Sequence, residues 1–464
     1  MPLRIGIVGG GIGGLTLAVA LSNLDVEGNL EVDIYESAPE LTQVGAGITI
    51  WPRTWKILEK FGLTEELLTH LAPGQHIPDG VPRLAFQFRK ADQEPGVPIR
   101  DLILTTSPLS FHRASVQQVL LKHLSPSIRC HLSSHLVSYS AADPNLHANA
   151  QSAPIRIEFA NGSTATCDLL VGADGIKSGI RKQVVASGSG VSADERPSAA
   201  LRMNGIADPV WSGTIAYRCT VNSAVLARKM PGHRTLTTLV VYCGKNQHIV
   251  AYPILQGSVV NFTAYVADPA KEGTKWNGPT FEDVPREEVI SHFDSWEEEV
   301  RLLVHNALNP SRWAIHAIRP LESFISASAN VLLLGDAAHA MTPHQGNGAG
   351  QAVEDAYILA HLLAKSAASS RPVAVADIMK VYDAVRRPAA NTVHDASRTH
   401  GLLYHFNAPG MSDGSGGYLA AMDGEEGWPP ERLGRLGETI VSDWKYAWET
   451  TAEEDRERAL SMLG

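Results

Sequence analysis

The chain has 464 residues, 44% hydrophobic and 19% charged, which excludes a disordered, collagen-like or coiled-coil chain. At a typical domain size of about 150 residues it holds two or three domain-sized units, each able to bury a core. Its net charge of -10 offers no basic field for nucleic acid or an anionic membrane surface, so neither is an expected partner. Cys130, Cys167, Cys219 and Cys243 include no CxxC pair and read as free thiols of a reducing, cytoplasmic compartment. The first residues imitate a signal peptide through Arg4, an apolar run to Leu21 and Ala18-Val19-Ala20, but five glycines between Gly9 and Gly14 weaken such a helix. No run of 18 uncharged apolar residues occurs elsewhere, and no membrane span is expected.

In chain order, Arg4 to Gly9 predicts a strand, Ile12 to Ser22 a helix and Leu30 to Glu36 a second strand: a right-handed β-α-β unit on a parallel sheet. Ser115 is placed to cap a helix with Val116, Val119, Leu120 and Leu124 at helical spacing, which puts Arg113 at a loop-to-helix junction. Residues 155–159 and 163–171 predict a hairpin around a type I′ Asn161-Gly162 turn, its second strand delivering Gly172-Ala173-Asp174-Gly175. The polar stretch 184–210 marks a boundary. Four strand-like runs follow without intervening helices, at 214–221, 235–242, 248–254 and 259–266, and predict an antiparallel sheet in an inserted α+β unit. Residues 286–308 read as helical, and 330–334 as a strand ending in Gly335-Asp336. A helix over 349–364 and another from Val375, with a kink expected at Pro388, come next. The last residues end in an acidic helix to which the sequence assigns no role.

Three motifs carry chemistry. Gly9-x-Gly11-x-x-Gly14 sits between strand and helix, and Glu36 ends the next strand 22 residues after Gly14. Gly9 permits the tight turn, Gly11 lets the backbone approach a pyrophosphate, Gly14 allows close helix packing, and Glu36 accepts ribose hydroxyls. This binds a dinucleotide without choosing between NAD and FAD. The second motif, Val331 to Gly348, chooses: its strand delivers Gly335 and Asp336 to a helix start, where Asp336 can accept a ribityl hydroxyl that an NAD dehydrogenase lacks. The third is Asp168-Leu-Leu-Val-Gly-Ala-Asp174-Gly175, with Lys177, Ser178 and Arg181 behind it.

With GGGIGG, GADG and GDAAHAMTPHQG in place, residues 3 to 400 resemble the group A FAD-dependent aromatic hydroxylases, the single-component flavoprotein monooxygenases, and especially their salicylate hydroxylase-like branch. The resemblance implies a Rossmann-like FAD-binding α/β fold in two parts, 1–183 and 316–400. An inserted α+β substrate domain with an antiparallel sheet spans 205–315, and a helical C-terminal extension 401–464. It implies noncovalent FAD, NADH or NADPH as co-substrate, and O2. Oxygen passes from a flavin C4a-hydroperoxide to a phenolic or phenol-carboxylate ring. Oxidative dearomatisation of a substituted phenol, or a flavoprotein reductase or redox sensor, are the alternatives.

By the same resemblance Gly9, Gly11, Gly14 and Glu36 hold FAD, Arg113 contacts it, Asp174 serves FAD and nicotinamide, and Gly335 and Asp336 meet the ribityl chain. Pro343, Gly346 and Gly348 border the flavin. Asn347 departs from the small alanine common in the family. His344 in TPHQG matches a substrate-facing position, where its ring can exchange a proton with a phenol near neutral pH; a structural hydrogen-bonding histidine is the alternative. Tyr217 and Arg218 match an AYR strand, of which one residue faces the pocket. Arg218 suits a carboxylate or phenolate, and Tyr252 and Tyr242 are further candidates. His339 and His344 lack metal-ligand spacing, so no metal is expected, and no GxSxG nucleophile elbow occurs. The partner is a small aromatic molecule and the assembly a monomer or homodimer.

Overall fold

Apolar residues in short runs, each followed by glycine or a helix start, build a parallel sheet covered on both faces. A computed structural model describes residues 2–25, 28–41, 47–71, 75, 80–142, 154–188, 205–327, 330–408 and 428–464. Five parallel strands lie in the order Val331–Leu333, Leu169–Gly172, Leu3–Val8, Leu30–Tyr35 and Arg129–His131. The helix Ile12–Leu24 is buried at every position from Ile12 to Leu21 except Gly13 and packs against the helix Gly348–Ala367. The two segments carrying the glycine and aspartate motifs, over 300 residues apart in the chain, thus meet in one layer.

Several local expectations are corrected. The hairpin's second strand stops at Thr164–Cys167, and Leu169–Gly172 joins the parallel sheet instead. Asp168 is the break: it accepts from the Arg4 backbone N–H at 3.0 Å and from its guanidinium at 2.6 Å, which turns the chain toward the strand Leu3–Val8. The connecting turn has positive φ only at Gly162, so it is not type I′, which requires it at both central residues. Ser115 is not a cap, because the helix Arg113–Lys122 starts two residues earlier with His112 as N-cap. Residues 286–308 form two helices, Arg286–Phe293 and Glu298–His305, and Leu308 opens a strand. Thr235 lies in a 3-10 turn, Arg234–Leu236, before the strand Leu239–Gly244. Pro388 sits inside one helix, Val375–Tyr404.

The second sheet has eight strands. In order they are Phe281–Asp283, Leu308–Ala317, Val210–Asn222, Val259–Ala267, Gln247–Ile254, Leu239–Gly244, Arg83–Lys90 and Val97–Leu104. The last two come from the N-terminal part of the chain; Arg83–Lys90 pairs in parallel with Leu239–Gly244, through Phe86 opposite Leu239. One face is sealed by the helices at 286–305, which bury Tyr217, Tyr242 and Phe262 with Val289, Phe293 and Leu303. The other face looks toward the parallel-sheet unit. The C-terminal helices Pro430–Ser442, Tyr446–Glu449 and Glu453–Leu463 close over this side, with Leu436, Ile440 and Trp444 packed on Phe86, Phe88 and Leu102. No helix of the described residues is long and apolar enough to cross a membrane.

Candidate active site

A cavity of about 780 Å³ runs from the glycine loop at 9–14 to the open face of the antiparallel sheet. Its first half is a dinucleotide cradle. Gly9 adopts φ +113°, and a side chain there would run into the Ala173 carbonyl; one at Gly14 would run into the Gly9 carbonyl. Only glycine fits at either point. Glu36 accepts from Gly10 N at 2.7 Å and Ala38 N at 2.8 Å, and lines the cavity with Gly11 and Arg113. Gln117 donates to the Gly10 carbonyl at 3.2 Å, which ties the Arg113 helix to the glycine loop.

Asp174 also lines the cavity, with its carboxylate turned to the next helix. It accepts from Ser178 Oγ at 2.6 Å and Gly179 N at 2.9 Å. Burial raises its pKa, opposed by these hydrogen bonds. Arg181, fully buried, donates to the carbonyls of Ile176, Ala207 and Ala337, and so binds the GADG segment to the loop after Gly335. Gly335 has φ +62°, a conformation suited to glycine, and Asp336 after it is exposed toward the cavity at the start of the helix Asp336–His339. These residues fit FAD: a cradle open only to glycine backbone, a carboxylate at the ribose position and a second carboxylate along the cavity.

The middle of the cavity is bordered by Pro343, Gly346 and Gly348. Gly346 has φ +64° and faces Thr49 and Trp51, whose indole Nε1–H donates to the Gln345 carbonyl at 3.1 Å. The 20-residue helix Gly348–Ala367 begins here, so its unsatisfied first-turn N–H groups and positive dipole end meet the cavity. Its floor is an ion cluster. Arg386 donates to Asp355 at 2.7 Å and Glu354 at 3.2 Å, and Asp355 also accepts from Gly335 N at 2.9 Å and pairs with His339 at 2.6 Å. Burial alone would raise the Asp355 pKa, but His339 and Arg386 outweigh it and hold the carboxyl at about 2.

The far half belongs to the antiparallel sheet, and strand parity sorts the candidates. Arg218 stands opposite Thr263, and Tyr252 opposite Asn261, all on the cavity face with Tyr265. The Arg218 guanidinium sits 4.4 Å over the Trp313 ring. Tyr217 points the other way: its hydroxyl donates to Glu288 at 2.8 Å, outside the cavity, because neighbours on a strand face opposite sides. Tyr242 likewise donates to Glu299 at 2.8 Å beneath the helices. The sequence reading passed over Tyr265, Trp51, Phe86 and Trp444, which also line the cavity. Tyr265 was detectable, two places along from Thr263 on the same face; Trp444 had no periodic signal.

His344 lines the cavity with its Nδ1 unpartnered, packed against His248, Tyr265 and Gly401. Burial pulls its pKa down to about 3, so near neutrality the ring is uncharged. His248, His400 and His405 beside it are lowered as well, each chiefly by burial. An unfolded histidine takes a proton near pH 6.5, whereas these stay neutral when folded. The unfolded chain therefore binds more protons below that pH, and stability is full above it and lost as pH falls. The thermal midpoint should drop between about pH 6.5 and pH 4.5, before most carboxylates titrate, and His344→Gln should flatten that slope in a scanning-fluorimetry series. Among the described residues no group of three His, Cys, Asp or Glu side chains is arranged to hold a metal, and all four cysteines are free.

Comparison with known proteins agrees with this geometry. The FAD binding domain family matches residues 3–397. A salicylate hydroxylase of Pseudomonas putida is 30% identical over 474 residues, covering 100% of this chain and 96% of the relative. A 6-methylsalicylate 1-monooxygenase of Aspergillus terreus is 31% identical, over 87% of this chain and 84% of its own. The solved structure of a salicylate hydroxylase substrate complex superposes with a TM-score of 0.78 at 27% identity, covering 99% of this chain and 98% of the other. The cradle, the second aspartate and these matches place the chain in the FAD binding domain family, among the group A FAD-dependent aromatic hydroxylases.

Proposed function

We propose that this chain hydroxylates the ring of a phenolic acid of the salicylate type, using NAD(P)H and O2. One oxygen atom enters the ring, the other leaves as water, and NAD(P)H gives the two electrons; where the attacked carbon carries a carboxylate, CO2 departs. Bound FAD supplies the electron transfer and oxygen activation. The observation that carries the reading is a single cavity with the dinucleotide cradle at one end and a cation among aromatic side chains at the other.

The chain's own part is binding, orientation and exclusion of water. Gly9, Gly11, Gly14, Glu36, Arg113 and Asp336 hold the cofactor, and the start of the helix Gly348–Ala367 favours negative charge on a reduced flavin. Arg218 takes the substrate's carboxylate or phenolate through its fork of donors, kept in place over Trp313. Tyr252 has its pKa raised by burial, against the pull of Arg218, and Tyr265 is pushed up to about 12 by burial, so both remain hydroxyl donors. His344, uncharged, stands in the cavity wall on the side that would take the phenol. Trp51, Phe86 and Tyr404 keep the far wall apolar and dry.

The test is salicylate-dependent NAD(P)H oxidation by the yellow holoenzyme, with peroxide and hydroxylated product quantified together. Arg218→Ala should raise the KM for salicylate about 10- to 100-fold, the loss of one charged hydrogen-bond partner, while FAD content stays at the wild-type level. Stimulated oxidation that gives peroxide and no product from any phenolic acid would overturn the hydroxylase reading.

A further inference from the structure

The C-terminal segment, for which the motifs supply no role, reaches the cavity wall through Trp444. Trp444 follows the helix Pro430–Ser442, is 3% exposed and lines the cavity beside Tyr404. It packs on Trp51 at 4.8 Å and Phe86 at 5.6 Å between ring centroids, and edge-on against His400 at 5.2 Å. Its indole Nε1–H has no hydrogen-bond partner among the described residues. Buried donors are nearly always paired; this one is enclosed, so what Trp444 presents to the cavity is its ring and not its Nε1–H. Thr342 Oγ1, His344 Nδ1 and Gln345 Nε2, also in residues of this wall, share that condition.

Two residues later Tyr446 does a different job. Its hydroxyl accepts from Asn347 Nδ2 and donates to Gln345 Oε1 at 3.3 Å, so it grips both residues that flank Gly346. Asn347 therefore has a partner: the only side-chain hydrogen bonds it makes among the described residues run to Tyr446 and Gln345. The grip is anchored further along by Arg53. Its guanidinium donates to Thr450 Oγ1 at 2.7 Å, the Thr451 carbonyl at 2.6 Å, Asp455 at 2.6 Å and Glu354 at 3.0 Å, the last on the helix that begins at Gly348. One end of the C-terminal segment is thus fixed to the floor of the site, and its aromatic residues are fixed in the wall.

We propose that residues 430–463 complete the active site, with Trp444 as the specificity-determining residue that limits the ring system admitted and Tyr446 as the positioning residue that holds the Gln345–Asn347 loop. The inference rests on the reading that this cavity takes flavin and a phenolic acid. The Trp444 ring stands in the cavity wall with Trp51 and Phe86, so a second fused ring that reaches this part of the cavity would meet it. A loop that keeps its glycine backbone at the cavity edge only while Asn347 is gripped will, when released, admit water and let reducing equivalents escape to peroxide.

The experiment uses the holoenzyme, with salicylate and the two-ring 1-hydroxy-2-naphthoate as probes. By titration calorimetry, Trp444→Phe and Trp444→Leu should bind the two-ring acid about tenfold more favourably relative to salicylate than wild type does, the scale of discrimination a pocket wall provides. An equal change for both probes, in both variants, would overturn the role of Trp444. Tyr446→Phe keeps the ring and loses the hydroxyl; it should raise the fraction of NAD(P)H ending as peroxide about threefold, with FAD content and thermal midpoint as in wild type. Asn347→Ala should raise it too, and the double variant by less than the sum of the single changes, since the Asn347–Tyr446 bond is lost in both. Unchanged or additive peroxide fractions would overturn the grip. Wild-type protein that retains no FAD would overturn the underlying reading and the proposal with it, whereas wild-type FAD content with insensitive variants removes the proposal alone.

Discussion

Gly9→Ala should yield a colourless protein. Gly9 holds φ +113°, a region L side chains rarely enter, and a methyl group there would overlap the Ala173 carbonyl, with Asp174 N 3.0 Å away. Both neighbours are backbone of the segment that carries Asp174, so relief requires the strands Leu3–Val8 and Leu169–Gly172, paired in register through Val8 and Gly172, to part at their ends. Backbone strain and overpacking of this kind cost about 1–3 kcal/mol each, and together weaken FAD binding by more than about a hundredfold. Flavin absorbance per protein after desalting measures it. Retention of stoichiometric FAD would mean that the glycine loop is not the cradle. Gly28→Ala is the control, because Gly28 has φ +69° but nothing within 4 Å of an added methyl.

Arg386→Met should be the most destabilising change at the floor of the site. Arg386 is wholly buried and is held cationic: burial would lower its pKa, but Asp355 and Glu354 raise it. Methionine keeps the length of the stem without the guanidinium, and leaves both carboxylates buried without that partner. Breaking a buried pair in this way costs about 3–5 kcal/mol, because a charge remains in low dielectric. His339 and Gly335 still face Asp355, and Arg53 still faces Glu354, so the expected cost lies toward the lower end. Denaturant titration of the holoenzyme reads the loss as a shifted midpoint. A loss below about 1 kcal/mol would mean that Arg53 and His339 suffice for the two acids. Asp355 fixes the Gly335 amide, so weaker FAD retention should accompany the loss.

The cofactor half of the site was legible in the sequence because its chemistry is local. Glycine spacing, a strand ending in Glu36 and the Gly335-Asp336 pair each fix backbone geometry within a few residues, and the parallel sheet brings such segments to one edge. The substrate half was legible only as pairs of alternatives. Adjacent Tyr217 and Arg218 had to face opposite sides, but the side that was covered depended on helices 286–305 and on strands 83–104, which pair with residues more than 150 positions away. The setting of His344 was not legible for the same reason: its neighbours His248, Gly401 and His405 come from separate elements, and burial among them holds the ring neutral.

By itself the sequence determined the dinucleotide cradle, the parallel sheet, the antiparallel insertion and the membership these imply, since periodicity and glycine geometry act at short range. Only the tertiary structure decided which face of the second sheet meets the cavity, that Asp174 accepts from a helix's first amide while lining the site, and that Trp444 stands in its wall while Tyr446 bonds Asn347. Those outcomes depend on burial and on unpaired polar atoms finding partners from distant segments, quantities no window of the chain contains.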